Sequence, residues 1–211
     1  MQSRVQKLRQ KMAEVGLDGF LVGCAVEDTF KAHGANRRYL SGFSGSVGYL
    51  LITQEEAFIA VDFRYYEQAQ REAPDFRLYK TNGSVETWFP ELAGEAGVGG
   101  RTLGFSPADM SMATYQALTK AISGMPQAQR PKLKAAPPLV EQLRAVKEPQ
   151  EVEAIQRAVD LADEAFVAVA GHIEPGWSER QVAWEIEKYA KEHGADALSF
   201  NTIVAAGPWG A

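Results

Sequence analysis

The chain has 211 residues, of which 45% are hydrophobic, enough to bury one large core or two modest ones. Its 22 Lys and Arg residues are outnumbered by 27 Asp and Glu residues and are dispersed, so we expect no nucleic-acid partner. The single Cys24 excludes a disulfide framework, which favours a reducing compartment. The N-terminus has no signal-peptide pattern and no segment approaches the ~20 apolar residues that span a bilayer, so we expect a cytoplasmic protein without membrane contact.

The first 136 residues alternate between helical and extended patterns. Apolar residues recur at helical spacing over 5–15, and an apolar run over 20–26 predicts a buried strand. The runs 47–53 and 57–62 are separated by three polar residues and predict an antiparallel hairpin. Further along, the pattern predicts helices over 65–72, 85–93 and 113–122, strands over 77–81 and 102–105, and a brief extended piece over 132–136. Because a hairpin inside an alternating pattern excludes a purely parallel sheet, we expect a three-layer α/β domain with a mixed sheet.

A change of character follows Pro137 and Pro138, which break the chain. A long helix of about six turns is predicted from Pro149, followed by a helix whose capping box is Ser178 and Gln181. A strand is predicted over 199–206. We therefore expect an N-terminal domain over 1–136, a linker with a helix over 137–148, and the start of a second domain over 149–211.

Two segments suggest ligand binding, and each has a structural alternative. The glycine-rich segment 42–48 could approach a phosphate, but it leads into a strand rather than a helix, which favours a structural turn. Asp62, Arg64 and Tyr65 follow a predicted strand, where loops often carry function. The favoured interpretation is that Asp62 caps the next helix while the tyrosine ring packs beneath it.

Residue types that carry catalysis are sparse. His33, His172 and His193 share no helix face and no metal-ligand spacing, and the acidic pairs on the long helix are typical of a solvated face. No Gly-x-Ser-x-Gly elbow is present. Patterning alone therefore indicates an α/β protein and names no reaction.

Six segments go further when taken in order. They are residues 36–46, 61–65, 143–151, 162–166, 175–179 and 199–207. The first reads Asn-Arg-Arg-Tyr-Leu-Ser-Gly-Phe-Ser-Gly-Ser, and the third reads Leu-Arg-Ala-Val-Lys-Glu-Pro-Gln-Glu. In sequence and spacing they resemble the bacterial Xaa-Pro peptidase branch of the creatinase/aminopeptidase P family, which consists of M24-type metallopeptidases.

The resemblance implies a creatinase-like N-terminal domain followed by the first helices and strand of an incomplete pita-bread catalytic domain. That catalytic domain binds two divalent metal ions, such as manganese, cobalt or zinc, through two aspartates, a histidine and two glutamates. None of these five positions occurs in the 211 residues, so the chain alone is expected to bind no metal and to be inactive. The intact parent is expected to hydrolyse the bond before proline in peptides with proline in second position, as a homodimer.

The resemblance also assigns roles to individual residues. Phe200 matches a position that lines the pocket for the N-terminal residue of the substrate, although a core aromatic is an equal alternative. Asp62, Arg64 and Tyr65 match an Asp-x-Arg-Tyr signature, for which domain architecture or interdomain contact is expected. No catalytic residue and no metal ligand is assigned.

Two other functions stay open at this point. One is a creatinase-like amidinohydrolase, which shares the fold without metal ions, and the other is a non-catalytic module that binds or dimerises. The two helices that begin near Pro149 and Ser178 should carry apolar faces that the catalytic sheet normally covers. We therefore expect the chain to be a fragment or to pack against another chain.

Overall fold

The computed structural model describes residues 3–23 and 34–210, and the chain divides into two compact units, Met1–Val146 and Lys147–Ala211. Cys24, His33 and the end of the predicted strand over 20–26 lie outside the described residues. The α-helices of the described residues are α1 (Arg4–Glu14), α2 (Ala35–Ser41), α3 (Tyr66–Glu72), α4 (Val85–Glu95), α5 (Met112–Gly124), α6 (Leu139–Ala145), α7 (Pro149–Ala170) and α8 (Glu179–Glu192). The strands are β1 (Gly19–Val22), β2 (Tyr49–Thr53), β3 (Ala57–Val61), β4 (Arg77–Lys80), β5 (Thr102–Phe105) and β6 (Lys132–Ala135).

The first unit is built on one sheet with the strand order β4-β3-β2-β1-β5-β6. The predicted hairpin is confirmed, because β2 pairs antiparallel with β3 and also with β1. The other pairings, β1 with β5, β5 with β6 and β3 with β4, are parallel. The sheet is therefore mixed, and β2 alone among these six strands runs against the others.

Side chains that alternate along the strands feed two hydrophobic cores, one on each face of the sheet. Phe20 and Val22 point to the core formed with α1, α2, α3 and α6, whereas Leu21 points to the core formed with α4 and α5. This alternation follows from the two-residue period of a strand. Helices thus cover both faces, which confirms the predicted three-layer α/β domain.

Several helix ends are determined locally by the sequence. Ser3 with Gln6 and Ser178 with Gln181 form capping boxes at α1 and α8, the second as predicted. Pro149 occupies the first turn of α7, whose 22 residues agree with the expected six turns.

Two elements differ from the sequence predictions. The helix α2 was not predicted, because its seven residues are mostly buried and show no amphipathic period. The strand expected over 199–206 is not formed. A strand needs hydrogen bonds from a neighbouring strand, and the described residues of the second unit contain no other strand to supply them.

Candidate functional site

The Asp-x-Arg-Tyr signature lies at the carboxyl end of β3, where Asp62 and Arg64 form a two-point ion pair. The Asp62 carboxylate accepts hydrogen bonds from Arg64 Nε at 2.9 Å and from Arg64 Nη2 at 2.8 Å. The same carboxylate accepts from the backbone amide of Arg64 at 3.1 Å and so caps the short 3-10 turn Phe63–Tyr65. The hydrogen bond from the Arg64 side chain lowers the pKa of Asp62, and the carboxylate raises the pKa of Arg64 in return.

Tyr65, the third member of the signature, connects this ion pair to the glycine-rich segment. The Tyr65 hydroxyl lies 2.7 Å from Ser46 Oγ, and its ring meets Phe43 edge to face with centroids 5.7 Å apart. The Arg64 guanidinium lies 5.2 Å from the centre of the Tyr65 ring. Two separate sequence motifs are therefore parts of one surface.

The glycine-rich segment 42–48 is held by protein groups on both sides. Glu72 Oε2 accepts hydrogen bonds from the backbone amide of Ser44 at 2.8 Å and from its hydroxyl at 2.9 Å. On the buried side, Arg37 donates to the carbonyl oxygen of Gly48 at 2.9 Å and also to that of Gly45. The hydrogen bond from the Ser44 amide lowers the pKa of Glu72.

This arrangement favours a structural turn over a phosphate loop. A side-chain carboxylate already occupies the place beside the Ser44 amide that an anion would take, and the segment leads into β2 rather than a helix. Sequence reasoning assigned no role to Arg37 or Glu72. Their loop partners are 8 to 28 residues away, so no local pattern in the sequence indicated these contacts.

Phe200 lies in the second unit, after α8, with 63% of its surface exposed. Two carboxylates of α8 hold the segment that contains it. Glu187 accepts from the Thr202 hydroxyl at 2.9 Å, and Glu179 accepts from the backbone amide of Ala206 at 2.7 Å. The Phe200 ring is therefore open to solvent on a segment tied to a helix.

The helices of the second unit present the apolar surface that the sequence predicted. The exposed large apolar residues on α7 and α8 are Val152, Ile155, Val159, Phe166, Val167 and Trp184. Phe166 and Val167 are about two-thirds exposed, although phenylalanine and valine are among the residues most often buried in folded proteins.

The two described histidines lie just after the C-terminal ends of α7 and α8, and each contacts a carbonyl oxygen of the preceding helix. His172 Nδ1 lies 2.6 Å from the carbonyl oxygen of Ala168, and His193 Nδ1 lies 2.8 Å from that of Tyr189, on whose ring the imidazole stacks at 3.8 Å. In the described part of the chain, no three His, Cys, Asp or Glu side chains come close enough to hold a metal ion. These residues therefore do not fit a two-metal centre.

Among the described residues, no helix is both long and apolar enough to cross a bilayer.

Comparison with known proteins gives two family matches in sequence order. Residues 4–146 match the creatinase/prolidase N-terminal domain, and residues 153–211 match metallopeptidase family M24. An uncharacterized peptidase of Bacillus subtilis, YqhT, is 32% identical over 204 residues, which are 97% of this chain and 53% of that protein. A Xaa-Pro dipeptidase of Pyrococcus horikoshii is 28% identical over 210 residues, with 98% and 53% coverage.

Solved structures show the same relationship. The Xaa-Pro dipeptidase from Bacillus anthracis superimposes with a TM-score of 0.76 at 28% identity, over 92% of this chain and 50% of that one. The N-terminal domain of the cytoplasmic peptidase PepQ from Mycobacterium tuberculosis is 36% identical with a TM-score of 0.54, over 67% of this chain and 98% of that one. The chain spans about half the length of the full-length relatives it matches. Through its N-terminal domain and the shorter M24 segment that follows, the chain belongs to the creatinase/prolidase family.

Proposed function

We propose that this chain is the N-terminal part of a Xaa-Pro peptidase, which hydrolyses the peptide bond before proline with two divalent metal ions. The observation that carries the proposal is the similarity over nearly the whole chain to proteins named Xaa-Pro dipeptidase, across both family segments in order. Fold alone would not support a function, because related folds host different chemistries.

We propose that the ligands of the metal centre come from outside the described residues, because no three His, Cys, Asp or Glu side chains within them could hold a metal ion. A two-metal hydrolase needs protein ligands that hold the ions about 3.5 to 4 Å apart. We therefore propose that the 211 residues alone hydrolyse no Xaa-Pro peptide. Turnover by a pure sample of this chain with confirmed mass would contradict this part of the proposal.

The test is an assay of the natural gene product, at whatever length the gene encodes, with and without Mn²⁺. Hydrolysis of Ala-Pro is expected for a dipeptidase, and release of alanine from Ala-Pro-Ala is expected for an aminopeptidase. Metal-independent hydrolysis of creatine would instead support a creatinase-like amidinohydrolase, which the name of the first family also covers. A product that hydrolyses none of the three would support a binding or dimerisation module and contradict the proposal.

Phe200 is proposed to contact the N-terminal residue of the substrate, and its exposed ring supports this role. In the active gene product, Phe200→Ala should raise KM about tenfold for Leu-Pro, the equivalent of about 1.4 kcal/mol, while kcat changes little. Ile203→Ala is the matched control, because Ile203 is also exposed and lies on the same segment. Equal effects of both variants would show a structural role instead.

We further propose a cytoplasmic homodimer. The cytoplasmic location is supported by the relative PepQ, which is named a cytoplasmic peptidase, and the dimer is proposed from the family resemblance. Analytical ultracentrifugation of the gene product at several concentrations would decide the oligomeric state, with a monomer at all concentrations contradicting it.

A further inference from the structure

Two of the sequence motifs meet in a partly buried polar cluster that the proposed function does not use. Asn36, from the first motif, is 3% exposed on α2. Arg144, from the third motif, lies on α6 more than one hundred residues later, and its Nη1 donates to Asn36 Oδ1 at 2.8 Å. A buried polar side chain is stable only when its hydrogen bonds are made, so this contact ties the position of α6 to that of α2.

Both the oxygen and the nitrogen of the Asn36 side-chain amide make hydrogen bonds. Its Nδ2 donates to the carboxylate of Asp109 and to Glu141 Oε1, the latter at 2.8 Å. Ser106 Oγ donates to the same Glu141 oxygen at 3.1 Å. Rotating the amide by 180° would place its oxygen against two carboxylates and its nitrogen against a guanidinium, so the network determines one orientation.

The cluster lies at the point where successive strands switch from one side of β1 to the other. From β1 the chain proceeds to β2, β3 and β4 on one side, and it returns to β5 on the other side. Ser106 and Asp109 follow β5 directly, at the edge where open α/β sheets commonly have a crevice. In this chain, hydrogen bonds between α2, the segment after β5, and α6 lie at that edge.

The helix α6 has little stability of its own. Its seven residues are too few for a stable isolated helix, and Pro138 at its N-cap makes no side-chain cap. Leu139 and Val140 are buried in the core on their first turn, and Leu143 is partly buried. Glu141 in the first turn and Arg144 in the last turn supply the polar contacts described above.

We propose that Asn36, Ser106, Asp109, Glu141 and Arg144 form a latch that docks α6 and can open locally while the rest of the first unit stays folded. Local opening of this kind is expected for a short element at the end of a folded unit, and α6 has seven residues and ends one residue before the first unit does. Since Val146 directly follows α6, the latch also determines the point at which the backbone leaves the first unit.

Hydrogen–deuterium exchange of the 211-residue chain tests the latch. Asn36→Asp keeps the oxygen that accepts from Arg144 but replaces the amide donors with a third carboxylate. We expect amides 141–145 to exchange at least tenfold faster than in the wild type, with α4 unchanged. Asn82→Asp, the same change at an exposed position of the first unit, should leave both segments unchanged. Unchanged exchange of α6 in Asn36→Asp, or equal acceleration of α4, would overturn the proposal.

A second pair of variants changes residues of α6, and it tests the latch by the same exchange measurement if Asn36→Asp does not fold. Arg144→Met removes the guanidinium from a half-buried position and keeps the propensity for helix. Gln142→Met is its control on the same helix, because Gln142 is exposed and accepts a surface hydrogen bond from Lys11 at 3.2 Å. Selective acceleration of α6 in Arg144→Met alone supports the latch, and equal behaviour of the two variants overturns it.

Discussion

Three glycines of the first unit allow one chemical change, Gly→Ala, to be compared in three environments. Gly42 ends α2 with φ of 80°, and a Cβ at this position would lie 2.9 Å from the backbone oxygen of Glu72. Gly16 follows α1 with φ of 66°, but a Cβ there meets nothing within 4 Å. Gly94 lies inside α4, and a Cβ there also meets nothing within 4 Å.

The free energies follow from these differences. Gly94→Ala should raise the free energy of unfolding by about 0.5–1 kcal/mol, because alanine loses less conformational entropy in a helix. Gly16→Ala should lower it by about 1–2 kcal/mol, the cost of a left-handed backbone with a Cβ. Gly42→Ala adds a clash with a backbone atom that cannot rotate away, so a total loss of about 2–5 kcal/mol is expected.

Urea unfolding measured by fluorescence isolates the first unit. Trp88 is its sole tryptophan and is buried, so a background with Trp177, Trp184 and Trp209 changed to Phe reports this unit specifically. The order of stability should be Gly94→Ala, wild type, Gly16→Ala and Gly42→Ala. Equal losses for Gly16→Ala and Gly42→Ala would refute the close contact, and a destabilising Gly94→Ala would refute the reasoning as a whole.

Three further predictions concern charged or ionisable groups. The pKa of Glu72 is lowered from 4.5 by the loop amide, so its carboxylate contributes stability above that pH, and this contribution is lost as pH falls through the folded-state pKa. Glu72→Gln should therefore be less stable than the wild type at pH 7 in urea unfolding, and a difference that does not shrink as the pH is lowered from 7 to 2 would contradict the assignment. Burial raises the pKa of Tyr79 above its usual 10, so its contribution is present below pH 10 and lost as pH rises further. Tyr79→Phe should be less stable at pH 8, and chemical denaturation at pH 10.5 should show a smaller difference; an unchanged difference would contradict the prediction. Lys132 and Lys134 are exposed on the edge strand β6, where charge opposes pairing with another sheet. Changing both to Val should produce larger species in light scattering, whereas Lys120→Val on α5 should not, and a monodisperse double variant would count against this role.

Local features explain why much of the fold could be predicted from the sequence. The hairpin of β2 and β3 is read from two apolar runs and three polar residues between them, and the start of α8 from Ser178 and Gln181. These signals act within a few residues, so they need no knowledge of distant partners. The family resemblance came from motif order, and the matches over 4–146 and 153–211 agree with it.

The candidate site was predicted less completely for the same physical reason. Asp62 and Arg64 interact across two residues, and the capping role of Asp62 was accessible from the sequence. Glu72 binds Ser44 across 28 residues, and its role follows from how β3 and α3 return the chain to the glycine-rich segment.

The sequence by itself determined where most helices and strands form, the mixed character of the sheet, and the family. Tertiary structure alone decided the burial of Arg37, the meeting of Asn36 with Arg144, and the absence of a strand over 199–206. Each of these depends on hydrogen-bond partners that are distant in the sequence or missing from the described unit. A buried polar group or a strand is stable only where the fold supplies such partners.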